Sequence, residues 1–237
     1  MIASLAAALV VANPTPTVQS GYTTKSLKDV KAGMWEATST YVQFNGSSEL
    51  VKTANRLLAS GATKDFNQFM AEAKTGAPML KKLNSAASYY YNATQSVRNN
   101  DGRVYSVLTE TSTFTGGAHG MFWYTPRNFA LMNGIPAELT FNDIFRSDIN
   151  SRQQVSFELL AQLLPMSRAT WVQDGEWKEL TAEQADRFTI DGSKGITWHF
   201  DPYELGPWAV GTFQITVPWS RLRNLVYRTG PVGYLAR

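Results

Sequence analysis

The most constraining feature of the sequence is a pair of alternating segments near its C-terminal end. Ile196, Trp198 and Phe200 alternate with Thr197, His199 and Asp201, and Phe213, Ile215 and Val217 alternate with Thr212, Gln214 and Thr216. Successive side chains of a strand point to opposite faces, so a period of two predicts two strands here. Each should set one face on a core and the other toward water or a ligand, the habit of antiparallel sheets. Between them lies Asp201-Pro202-Tyr203-Glu204-Leu205-Gly206-Pro207, a loop, and Pro218-Trp219-Ser220 then opens a short helix through Leu222, Leu225 and Val226.

The same signals recur upstream. Residues 35–44 are rich in β-branched and aromatic types and end at Asn45-Gly46, a strand and its turn. Leu50, Val51, Ala54, Leu57 and Leu58 then fall at helical spacing, with Ser47 or Ser48 as N-cap and Gly61 as stop. A second short helix is expected through Phe66, Phe69, Met70 and Ala73, closed by Gly76-Ala77-Pro78, giving a helix pair packed on a sheet. Residues 88–97 and 103–113 flank Asn99-Asn100-Asp101-Gly102 and read as a hairpin. An extended segment over 121–131 meets a turn at Asn133-Gly134, and residues 151–164 form the clearest helix, ended by Pro165. Residues 166–187 yield no assignment. Strands grouped with strands, and helices between the groups, specify an α+β protein: antiparallel sheets with helices on one face, in two intimately packed subdomains.

A chain of 237 residues with 43% hydrophobic content can bury such a core. Its 12% aromatic and 17% charged content argues against disorder and suggests that a partner is met through rings rather than ions. The net charge of +3 is spread without a basic run, so no nucleic-acid partner is expected. The absence of cysteine excludes a disulfide scaffold, a thiol nucleophile, a cysteine-based metal centre and a lipidated N-terminal cysteine. Residues 2–12 form an apolar run followed by Asn13-Pro14-Thr15-Pro16. That run has the length of a signal-peptide hydrophobic region and falls short of the roughly 20 residues that span a bilayer. No basic residue precedes Lys25, so a short buried helix is the competing reading. The organisation expected is a signal peptide and linker over 1–20, an α+β subdomain over 21–114 and a second over 115–237. The mature chain would then be periplasmic or secreted, without a membrane span.

Few residues carry chemistry. His119 sits in Gly116-Gly117-Ala118-His119-Gly120, where glycine permits positive φ or close approach. It reads either as a ligand contact or general base, or as a turn residue hydrogen-bonded to a neighbouring strand. His199, Asp201 and Glu204 could be drawn as a metal site, but no second histidine stands at ligand spacing, so neither a metal nor a cofactor is expected. Nucleophile-elbow, zincin and P-loop motifs are absent. Seven tryptophans remain; Trp198 lies in the core register, while Trp123, Tyr124, Tyr203 and Trp208 border the glycine- and proline-marked loops. Large rings there can stack on a sugar or anchor a protein. Gly117, His119, Trp123, Tyr124, Tyr203 and Trp208 are therefore the ligand-binding candidates.

Several of these blocks, taken in order, resemble a known family. Gly116-Gly117-Ala118-His119, Asn128-Phe129-Ala130-Leu131, Asn133-Gly134 and Leu139-Thr140-Phe141-Asn142-Asp143-Ile144-Phe145 resemble the opening of the RsiV-like C-terminal domain, and residues 196–211 with 215–220 resemble its close. Residues 22–114 are similar, more loosely, to the domain that precedes it, a pair that also accompanies PdaC-type peptidoglycan deacetylases. The resemblance implies an extracytoplasmic α+β fold that, in lysozyme-sensing anti-sigma factors, serves as a receptor for lysozyme. The expectation is an exported, non-catalytic cell-envelope binding module for peptidoglycan glycan or a lysozyme-like protein. The alternatives are an envelope hydrolase in which the fold brings an acidic partner to His119, and a structural companion protein.

Overall fold

Ser48 accepts a hydrogen bond from the Val51 amide at 3.2 Å, and from that cap one helix runs for 34 residues. The computed structural model describes residues 21–83 and 87–237, so the leader read as a signal peptide lies outside the described residues. In chain order the elements are β1 (Tyr22–Lys31), β2 (Trp35–Phe44), α1 (Glu49–Lys82), β3 (Tyr89–Asn100), β4 (Val104–Phe114), β5 (Met121–Met132), β6 (Ile135–Glu138), α2 (Phe141–Ile144), α3 (Ser151–Leu163), α4 (Thr170–Gln173), α5 (Ala182–Ala185), β7 (Phe188–Ile190), β8 (Ile196–Phe200), β9 (Phe213–Val217) and α6 (Trp219–Leu222). The architecture is α+β.

Strands β1 to β6 form one sheet in sequence order, and β7 to β9 form another. Pairing is antiparallel except between β2 and β3, which run parallel because α1 carries the chain back across the sheet between them. The expected helix pair is thus a single helix, about 50 Å long. Gly61 and Gly76 do not stop it. A Cβ on Gly76 would collide with the Tyr89 hydroxyl, and one on Gly61 would press the Arg127 guanidinium at 3.3 Å. These glycines admit side chains from the sheet. The buried stripe Leu50, Ala54, Leu58, Phe66, Phe69, Ala73 and Ala77 continues past both.

Strands β1, β6 and β7 had no signal of their own. β1 is an edge strand with few buried residues, held by pairing with β2 over its whole length. The main core gathers Phe188, Trp198, Phe200 and Phe213 with Phe145, Leu159 and Leu163, and takes in Val104 and Ala130 from the large sheet. Polar groups stitch the sheets where they meet. Asn128 Nδ2 donates to the Phe188 carbonyl at 2.8 Å, Ser106 Oγ donates to Asn128 Oδ1 at 2.7 Å, and the Ile190 amide donates to Ser106 Oγ at 3.0 Å.

This contact corrects the reading of β8. Its alternate face is not open to water: Thr197 and His199 are as buried as Trp198. The central strand of a covered sheet has two interior faces. β9, at the edge, keeps Gln214 and Thr216 exposed. Among the described residues no helix is long and apolar enough to cross a membrane.

Candidate ligand-binding surface

Two loops build the candidate surface. The first, between β4 and β5, turns at Gly116 and Gly117, with φ of +98° and +99°. Gly120 closes it beneath Tyr90, where a Cβ would strike the Tyr90 hydroxyl and the Thr113 carbonyl. His119 stands exposed between these glycines, its Nδ1 2.9 Å from the Gly120 carbonyl oxygen.

The second loop, between β8 and β9, begins with a tight turn in which the Glu204 amide donates to the Asp201 carbonyl at 3.2 Å. Pro202 occupies the second position of that turn and Tyr203 the third, where a φ of +71° is usually left to glycine or asparagine. The carboxylates lock the turn. Glu204 accepts from the Asp201 amide at 2.5 Å, from Arg187 Nη1 at 2.9 Å and from Gln184 Nε2 at 3.1 Å. Asp201 pairs with Arg187 and accepts the Tyr124 amide at 2.8 Å. Burial raises the Asp201 carboxyl above the usual carboxylate range, with the Arg187 charge opposing that rise.

The loops converge. The His119 imidazole stacks on the Trp208 indole with centroids 4.2 Å apart and planes 28° from parallel. Trp208 keeps 37% of its surface exposed and Tyr203 50%. Gly117, His119, Tyr203 and Trp208 therefore lie on loops that reach solvent, two of them in direct contact.

Two candidates do not belong with them. Tyr124 is buried: its ring lies 5.2 Å from that of His199, and its hydroxyl bonds Thr212 Oγ1 at 3.0 Å and accepts from Gln214 Nε2 at 2.8 Å. It supports the second loop from below. Trp123, its neighbour on β5, points to the opposite face of the sheet, where it lines a cleft with Asp65 and Phe69 of α1. Tyr90 was missed; it is exposed, stacks on Phe114 at 6.2 Å and covers Gly120. Its signal was a place on the same strand face as Phe114 and Phe122, which needs the register to be known.

His199, Asp201 and Glu204 are engaged by protein partners rather than by a metal. His199 Nε2 lies 2.9 Å from Thr189 Oγ1, and that hydroxyl donates to Asp191. Burial, and then the Arg98 and Arg187 charges, lower the His199 pKa to about 3, so the ring is neutral. Among the described residues no three His, Cys, Asp or Glu side chains gather as a metal site, and no carboxylate is hydrogen-bonded to His119.

Residues 142–220 match a family described as a protein of unknown function, DUF3298. Residues 31–122 match a second family model, described as deacetylase PdaC. A DUF3298-family structure from Bacteroides fragilis superposes with a TM-score of 0.67 at 17% identity, covering 92% of this chain and 98% of that one. Another, from Pseudomonas aeruginosa PAO1, gives a TM-score of 0.58 at 15% identity, covering 86% and 94%. At such identities the likeness concerns the fold. No curated protein matches. The candidate surface straddles the two matches: His119 and Tyr90 stand in the PdaC-type segment, Tyr203 and Trp208 in the DUF3298 segment.

Proposed function

We propose that the chain is an exported, non-catalytic binding module of the cell envelope, periplasmic or secreted, that holds peptidoglycan glycan on the rings of Tyr203, Trp208 and His119. The His119–Trp208 stack carries this reading, because it joins the two matched segments at an exposed aromatic surface. Sugar rings offer C–H faces to aromatic faces, and an indole already backed by an imidazole loses little freedom on binding. Tyr203 supports the same reading, since an exposed ring held at a φ of +71° stores strain in the turn that presents it. The PdaC-type match supports an envelope setting.

Co-sedimentation with purified peptidoglycan, beside capture on immobilised lysozyme, tests the proposal. Wild type should sediment with peptidoglycan, and a Tyr203→Ala, Trp208→Ala double variant should lose about tenfold or more in affinity, as expected when hot-spot rings are removed. Absence of wild-type binding, or binding unchanged in the variant, would refute it. Capture by lysozyme alone would assign the surface to a lysozyme-like protein instead.

A further inference from the structure

The face of the large sheet that carries α1 holds a second concavity. Helix α1 and strands β3 to β5 leave a cleft of about 430 Å³, lined by Asp65, Phe69, Glu72, Tyr91, Thr125 and Trp123 among others. A recess of about 130 Å³ shares Asp65, Tyr91 and Thr125 with it. Asp65 and Glu72, with Gln68 between them, recur at helical spacing and form one rim, and neither carboxylate is in an ion pair among the described residues. The half-buried Trp123 contributes an indole from β5, with Thr115 and Thr125 supplying hydroxyls.

The floor is Tyr91. Its ring stacks on Phe69 at 5.3 Å and the residue is only 5% exposed, yet its hydroxyl has no hydrogen-bond partner among the described residues. Burial, and then the charge of Asp65, push this phenol up to about 12, so it stays a protonated donor. A hydroxyl that reaches a cleft without a protein partner is open to a ligand. This one borders both concavities.

We propose that this cleft binds an amino sugar, with the ammonium drawn to the acidic rim of Asp65 and Glu72, the pyranose against Trp123, and the sugar hydroxyls on Thr115, Thr125 and Tyr91. Each part of the ligand meets one kind of lining group. The two carboxylates ask for a cation, the indole attracts both a cation and a C–H face, and the hydroxyls ask for a polyol. A lysine side chain would use the carboxylates and the indole but leave Tyr91 unpaired, and an N-acetylated sugar would leave both charges unanswered. The site is independent of the Trp208 surface, which lies across the sheet.

Titration calorimetry of the whole chain with a glucosamine tetramer and its fully N-acetylated counterpart decides the matter, at a pH where the amine is charged. The free-amine oligomer should bind about tenfold or more tighter, because only it makes the charge-assisted contacts. Asp65→Asn with Glu72→Gln, both exposed positions that leave the fold unchanged, should erase the difference. Trp123→Phe should retain part of the affinity and Trp123→Ala should lose it, while Trp208→Ala should leave it intact. Equal binding of the two oligomers, indifference to Asp65, Glu72 and Trp123, loss through Trp208→Ala, or equal competition by a trilysine peptide would overturn the proposal.

Discussion

The backbone amide of Tyr124 donates to the carboxylate of Asp201 at 2.8 Å, a contact spanning 77 positions of the chain. It anchors the Trp208 loop to the strand that follows the His119 loop. Asp201 also pairs with Arg187, and both side chains are largely shielded, at 21% and 16% exposure. One carboxylate thus fixes the relative position of the two aromatic loops.

Asp201→Ala removes the acceptor for the Tyr124 amide and leaves Arg187 with Glu204 alone. Breaking a shielded pair of this kind costs about 3 kcal/mol. Urea unfolding of wild type and variant measures it, and a loss under ~0.5 kcal/mol, the range of an ordinary surface change, would show that the loops are held by other means.

Tyr203 occupies a backbone region that costs a non-glycine residue about 1 kcal/mol. Tyr203→Gly should therefore raise stability by up to that amount while it weakens glycan binding. Opposite movement of Tm and affinity, read by thermal unfolding and co-sedimentation on the same sample, is the expected signature. A fall in Tm would show that the ring contributes more packing than its 50% exposure implies.

Glycine to alanine inside a helix ordinarily stabilises by about 1 kcal/mol. Gly76→Ala should do the reverse, because its methyl group would displace the Tyr89 ring from a packed position. Overpacking of this kind costs roughly 1–3 kcal/mol. Gly61→Ala would press Arg127 Nη1 at 3.3 Å, a contact that a shift of a few tenths of an ångström relieves, so the usual gain should be largely offset and the change close to neutral. Equal effects at the two positions would contradict this account of why α1 is continuous.

In the folded chain His199 resists protonation down to about pH 3. An unfolded histidine takes up its proton below about pH 6.5, so the unfolded state binds more protons between these limits. Stability should then fall as the pH drops from 6.5 toward 3, by at most about 1.4 kcal/mol per pH unit from this group. Asp201, raised by burial, acts in the opposite sense near its own titration. His199→Gln keeps a polar partner for Thr189 and cannot titrate, so the difference between its unfolding free energy and that of wild type should shrink as pH falls. A constant difference from pH 7 to pH 4 would contradict the assignment.

Local patterns alone determined β2, the β3–β4 hairpin, β5, β8, β9 and α3, and with them the α+β class, because periodicity and turn chemistry belong to neighbouring residues. They also marked the two loops that bear Gly117, His119, Tyr203 and Trp208. What lay beyond local pattern depended on partners distant in sequence. The unity of α1 was decided by Tyr89 and Arg127 filling the space at its glycines. The existence of β1 was decided by pairing with β2. The burial of Tyr124 and His199, and the separation of Trp123 from the aromatic surface, were decided by which face of each strand another layer covers. A strand states that its faces differ; only packing states what each face meets. The stacking of His119 on Trp208 is of that second kind, since two loops 89 positions apart meet only once both sheets have docked.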